Sequence, residues 1–262
     1  MKKLHVFAAM FLFSLGVSAQ TIDVHKKDGT VVSYDATNVE YIGFTAAKSD
    51  PDKGNAPATA EAINLGLPSG TKWANMNVGA EKMEDYGLYF AWGETVGYGS
   101  DTSDGRSFKW TSYKWYSGSG TTLTKYCTKS SYGTVDNKTV LDAEDDAVAV
   151  NWGGDWRMPT SDEIKELIDN TMSEWTTVNG VYGMKFTSTV TGYTNKYIFF
   201  PAAGYRGSTG LYSQGSYGRY WSSSVDTDFL RGAYNLYFDS SNMNCNGYYR
   251  WNGLSVRAVL NK

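Results

Sequence analysis

Apolar and polar residues alternate cleanly over residues 233–238. Tyr234, Leu236 and Phe238 fall on one face, and Asn235 and Tyr237 on the other, the two-residue period of a strand with unlike faces. Leu254, Val256, Ala258 and Leu260 mark one face of a terminal strand. Residues 72–78, 88–92, 184–188 and 197–200 are further short β-favouring runs between glycines. Two stretches change to a helical period. Thr160-Ser161-Asp162-Glu163 is a capping box, and Ile164, Leu167 and Ile168 supply the i, i+3, i+4 face of a helix running to about Thr171. The pattern predicts a second helix over 143–151, with Asp142 as N-cap and Asp145 at the third position. Many short strands with two helices define an α+β chain. Residues 97–124 carry Gly, Ser and aromatics without core periodicity and read as a long loop.

The N-terminal part has a different pattern. Lys2 and Lys3 precede an apolar run over residues 4–17, and Val17-Ser18-Ala19 is a small-residue cleavage site, so residues 1–19 are expected to be a secretory signal peptide. The run is short for a membrane span and nothing later resembles one. Residues 20–45 are expected to form a β-hairpin appendage, with Lys27-Asp28-Gly29 at its turn and 39–44 as a possible third strand. Residues 46–60 have linker composition, and 61–262 the length of one domain.

Composition narrows the chemistry. The formal charge of −3 becomes −5 once Lys2 and Lys3 leave with the signal. That balance argues against a nucleic-acid partner, which needs a basic stripe, and against anionic glycans being captured mainly by net charge. His25 is the one histidine beyond the signal, and Gly-x-Ser-x-Gly, His-Glu-x-x-His and Cys-x-x-Cys motifs are absent. Nucleophile–base pairs and zinc sites therefore lack their residues, and no enzyme activity and no cofactor are expected. Paired carboxylates such as Glu94 and Asp155 have the chemistry for glycoside hydrolysis, but nothing in the sequence places them together. Export permits a disulfide, yet two cysteines as far apart as Cys127 and Cys245 read better as free thiols.

Several motifs recur in order: Leu65-Gly66-Leu67-Pro68-Ser69-Gly70-Thr71-Lys72-Trp73-Ala74, Tyr89-Phe90-Ala91-Trp92-Gly93-Glu94, residues 151–160, Pro201-Ala202-Ala203-Gly204-Tyr205-Arg206, Tyr220-Trp221-Ser222-Ser223-Ser224 and Ser255-Val256-Arg257. Over residues 61–260 they resemble the Fibrobacter succinogenes major paralogous domain and the related Lcl C-terminal domain. The resemblance implies a C-type-lectin-like fold and a secreted or surface-exposed, adhesin-like role. The formylglycine-generating enzymes share that fold, but the surroundings of Cys127 and Cys245 lack their motif. The C-terminal part also looks like the variable proteins of diversity-generating retroelements. That likeness implies a fixed frame at 220–223 and 255–257. The displayed positions would be Phe229, Leu230, Arg231, Asn244, Cys245, Gly247, Tyr248, Tyr249, Arg250 and Trp251.

Tyrosine, tryptophan and asparagine dominate the C-terminal hundred residues, a composition suited to recognition. The candidate ligand-binding residues are Tyr205, Tyr212, Tyr217, Asn244, Tyr248, Tyr249, Arg250 and Trp251, with 248–251 read as a loop and Arg250 as a forked donor or cation–π partner. Arg157 and Arg257 sit in frame motifs and are expected to be structural. Asp142, Glu144, Asp145 and Asp146 suit a helix N-terminus better than a calcium site, so no metal is expected. The expectation is a non-enzymatic module, secreted or at the cell surface. It recognises a glycan or a protein outside the cell; the alternative is a structural cell-surface or fimbria-associated subunit.

Overall fold

The computed structural model describes residues 21–25, 30–35, 55–120, 122–208 and 210–260. Two compact units are distinguished, residues 1–48 and 49–262. In the first, β1 (Thr21–His25) pairs antiparallel with β2 (Val31–Asp35), Thr21 facing Asp35 and His25 facing Val31. That is the hairpin the Asp28-Gly29 signal predicts. The signal segment, the third strand at 39–44 and linker residues 46–54 lie outside the described residues.

The second unit is mostly β, with two short helices and several antiparallel sheets, compatible with α+β. Its early strands are β3 (Ala62–Ile63), β4 (Lys72–Asn77), β5 (Tyr89–Phe90) and β6 (Trp156–Arg157). A hairpin of β7 (Thr171–Val178) and β8 (Val181–Ser188) continues into β9 (Tyr197–Pro201) as a three-stranded sheet. Then follow the small hairpin β10 (Tyr205–Gly207) and β11 (Gly210–Tyr212), the long meander β12 (Tyr217–Val225), β13 (Gly232–Asp239) and β14 (Met243–Tyr249), and the closing strands β15 (Leu254–Ser255) and β16 (Arg257–Leu260). A five-stranded sheet has the order β14-β13-β12-β15-β5, and a four-stranded sheet the order β3-β4-β16-β6.

The five-stranded sheet separates two cores. One holds Trp221, Ala233, Trp92, Phe90 and Tyr126; the other holds Tyr220, Leu236, Phe238, Phe186 and Phe200. Burying a side chain the size of Leu236 or Phe238 stabilises the fold by roughly 1.5–3 kcal/mol. Helix α2 (Ser161–Asp169) covers the second core with Ile164 and Leu167. Its capping box forms as its residues dictate: Glu163 N donates to Thr160 Oγ1 at 3.2 Å and Thr160 N to Glu163 Oε2 at 2.8 Å.

Three expectations change. The second helix is divided into a 3₁₀ turn, Ala143–Asp145, and α1 (Ala147–Asn151). Asp146, extended at φ −82° and ψ 116°, caps α1 by accepting from Val148 N and Ala149 N. Asp145 cannot act within a helix terminus because Lys114, Lys125 and the Tyr126 hydroxyl hold its carboxylate. The terminal strand is two pieces buried on both faces, because it runs between the cores: Leu254, Val256 and Ala258 face the first and Val259 the second, with Ser255 and Arg257 also sealed. Residues 55–60 run along the domain, where Asn75 Nδ2 donates to Thr59 O and Ala56 and Ala60 pack on the first core.

Candidate functional site

One face of the meander passes from core to solvent along its strands. Registration places Tyr217, Arg219 and Trp221 of β12 opposite Asp239, Tyr237 and Asn235 of β13, and Tyr237, Asn235 and Ala233 of β13 opposite Asn244, Asn246 and Tyr248 of β14. Trp221 and Asn235 are fully buried, Arg219, Tyr237, Asn246 and Tyr248 are half-buried, and Asn244 is exposed. On the opposite face Gly218 makes room for Phe238, whose ring would lie 2.1 Å from an added Cβ.

The β10–β11 hairpin extends this face. Tyr205 pairs with Tyr212 across the hairpin, and their rings stack at 5.2 Å and 24°. Tyr205 also lies 6.3 Å from Tyr217, nearly parallel, and meets Tyr248 edge-on at 5.6 Å. The hairpin is fixed from behind. Arg206, fully buried, grips the Asp104 carboxylate with two donors at 2.6 and 2.9 Å, and its backbone exchanges two hydrogen bonds with Gly253. Gly204 precedes it at φ +62°, where an added Cβ would come within 2.0 Å of the Tyr212 carbonyl oxygen.

Arg219 lies among these rings. Its guanidinium carbon is 3.9 Å from the Tyr248 ring centre, 4.6 Å from Tyr237 and 5.7 Å from Tyr217. Nη1 donates to Asn235 Oδ1 at 3.1 Å, and Asn235 in turn donates to Asn246 O and Oδ1. Nε meets no acceptor, and Arg219 makes no ion pair among the described residues. The hydrogen bond to Asp239 pushes the Tyr237 phenol up to about 12, and burial raises Tyr217 and Tyr248. The rings therefore stay neutral at physiological pH.

Of the eight residues singled out from sequence, Tyr205, Tyr212, Tyr217, Tyr248 and Asn244 share this face. Tyr249 and Trp251 lie around its edge, 4.4 Å apart, and connect it to Phe229 and Trp110. Tyr249 and Tyr212 are 40 % and 44 % exposed. Arg250 does not belong to the site. It is fully buried, with Nε donating to Gly232 O and Nη1 to Tyr126 O. The segment 248–251 is also no loop, since Tyr248 and Tyr249 end β14 and only the turn beyond them is irregular. Leu230 and Gly247, expected on display, are taken up by packing: Leu230 is 3 % exposed, and a Cβ at Gly247 would strike Asp226. Arg219, Tyr237 and Asn246 were not singled out, although the alternation of 233–238 already put Tyr237 away from the core.

The other expected sites have structural explanations. Arg257, fully buried, donates to Asn77 Oδ1, Ala74 O and Phe199 O, and burial lowers its guanidinium to about 10. Arg157 forks onto Glu163 at 2.8 and 2.6 Å. Cys127 and Cys245 are unpaired. Carboxylate oxygens of Asp142, Glu144 and Asp145 lie within 4.8 Å of one another, but Lys125 Nζ is 2.6 Å from both Asp142 and Asp145 and already supplies positive charge there. Two surface hollows lie elsewhere in the domain. One of about 340 Å³ is lined by Asn64, Leu67, Lys72 and Tyr193, and one of about 620 Å³ by Ala56, Ala60, Trp156 and Leu260. The tyrosine face is an open surface.

A family described as a domain of unknown function (DUF8237) matches residues 189–259. The matched span contains every strand that builds the tyrosine face. No curated protein and no solved structure matches the chain significantly.

Proposed function

We propose that this chain is an exported, non-enzymatic binding module with a C-type-lectin-like domain, adhesin-like, which recognises a glycan or a protein outside the cell. The observation that carries this reading is the tyrosine face: five tyrosines and Arg219, held by the core-backed meander and the β10–β11 hairpin, with Tyr212 exposed on it and Tyr249 exposed at its edge. Rigid rings on a fixed scaffold bind at little cost in side-chain entropy, and asparagine amides beside them supply directional hydrogen bonds. The motifs at 65–74, 89–94, 201–206 and 220–224 support the lectin-like assignment by resemblance. The many short strands around two short helices are compatible with it.

The test is a glycan array and a pull-down with the full chain, repeated with Tyr212→Ala and Tyr249→Ala. Binding that both substitutions weaken while melting is preserved supports the reading. Binding indifferent to both contradicts it.

A further inference from the structure

We propose that the tyrosine face is a site for an acidic glycan, with Arg219 as the anchor for a sugar carboxylate. The inference rests on the binding-module reading above and narrows its ligand class. Arg106, Arg157 and Arg206 each meet a carboxylate of the protein, and Arg250 and Arg257 are sealed in the core against carbonyls. Arg219 and the half-buried Arg231 have neither fate, and of these two Arg219 is the one set among the tyrosine rings. It is partly accessible and makes no ion pair among the described residues.

A half-buried guanidinium with no carboxylate partner is poorly compensated for its lost hydration, and a ligand anion at its accessible part supplies the missing charge. The Tyr248 ring at 3.9 Å and the Asn235 bond at 3.1 Å hold the guanidinium in place before any ligand arrives. The mildly acidic chain gives little long-range attraction, so the recognition is a short-range fork onto one carboxylate.

The surroundings favour a sugar over a protein. The side chains of the open part of the face are tyrosine, asparagine, aspartate and arginine, without an aliphatic anchor point for a protein hot spot. Flat phenol rings suit the C–H faces of pyranoses, and the exposed amide of Asn244 suits hydroxyls.

The test uses oligosaccharides containing hexuronic acid and the same oligosaccharides after reduction of their carboxyl groups to hydroxymethyl. Each set is titrated against the full chain and its Arg219→Gln, Arg219→Lys and Tyr212→Ala variants. The wild type should bind the acidic set about ten- to a hundredfold more tightly than the reduced set. Arg219→Gln should remove that difference, Arg219→Lys should restore only part of it, and Tyr212→Ala should weaken both sets. Equal affinity for both sets, unchanged in Arg219→Gln but weakened by Tyr212→Ala, overturns the acidic ligand and leaves the face a binding site. Failure of the wild type to bind the acidic set also overturns it. The wider reading fails with it only if no neutral glycan or protein ligand depends on Tyr212. Should Arg219→Gln fail to fold, the acidic-against-reduced comparison on the wild type decides by itself.

Discussion

Arg250 places its guanidinium carbon 4.9 Å from the centre of the Trp92 ring, inside the first core, while the adjacent Tyr249 stands 40 % exposed. Two neighbouring residues of one aromatic tract thus serve opposite ends, one the scaffold and one the surface. Arg250→Ala removes the donors to Gly232 O and Tyr126 O and leaves a void. It should cost about 2–4 kcal/mol, read as a lower urea midpoint. Tyr249→Ala should change stability by no more than about 1 kcal/mol.

Glu163 should control the acid limb of stability. Burial alone pushes its carboxyl up, but the Arg157 fork, the Thr160 N–H and the Thr71 hydroxyl outweigh it and hold it at about 2, against 4.5 when free. A carboxyl depressed in the folded state adds stability above its unfolded value and loses it as the pH falls through its folded value. The contribution, about 2–3 kcal/mol, should therefore be complete above about pH 5 and vanish between there and about pH 2. Glu163→Gln should melt lower at neutral pH, with a flatter dependence across that window in calorimetry.

The helix cap gives a smaller, local effect. Thr160→Ala removes the acceptor for Glu163 N and should cost about 1 kcal/mol, with Thr160→Ser recovering most of it.

Thiol chemistry checks the cysteines. Burial pushes the Cys245 thiol up to about 11, and Cys127 is fully enclosed. Both should resist iodoacetamide in the native protein near neutral pH, and both should react, without prior reduction, once it is unfolded. A native Cys127–Cys245 bridge would appear as no reactive thiol after unfolding.

Much of the architecture is legible in the residues. The Thr160 box specifies its helix, and the alternation of 233–238 specifies β13 with Leu236 and Phe238 inward. Local patterns fail where a partner is remote. Arg250 reads as a surface residue because Tyr, Tyr and Trp surround it, yet the carbonyl that receives its Nη1 belongs to Tyr126, 124 positions earlier. The Asp142–Asp145 cluster reads as a helix start because the lysines that claim it come from other loops. Within the site, Tyr205, Tyr212, Tyr217 and Tyr248 were recognisable by composition. Arg219 was not, because its place among them follows only from the register of β12 against β13.

The central claim is that a ligand sits on the tyrosine face, and isotope-edited NMR reads it most directly. With arginine side chains and tyrosine rings labelled, a hexuronic-acid oligosaccharide should shift the Arg219 Nε–H and the rings of Tyr205, Tyr212, Tyr217, Tyr237 and Tyr248. The enclosed Arg257 signal and the Tyr193 ring beside the 340 Å³ hollow should stay still. Shifts gathered at Tyr193 with Arg219 and its surrounding rings unmoved would contradict the account.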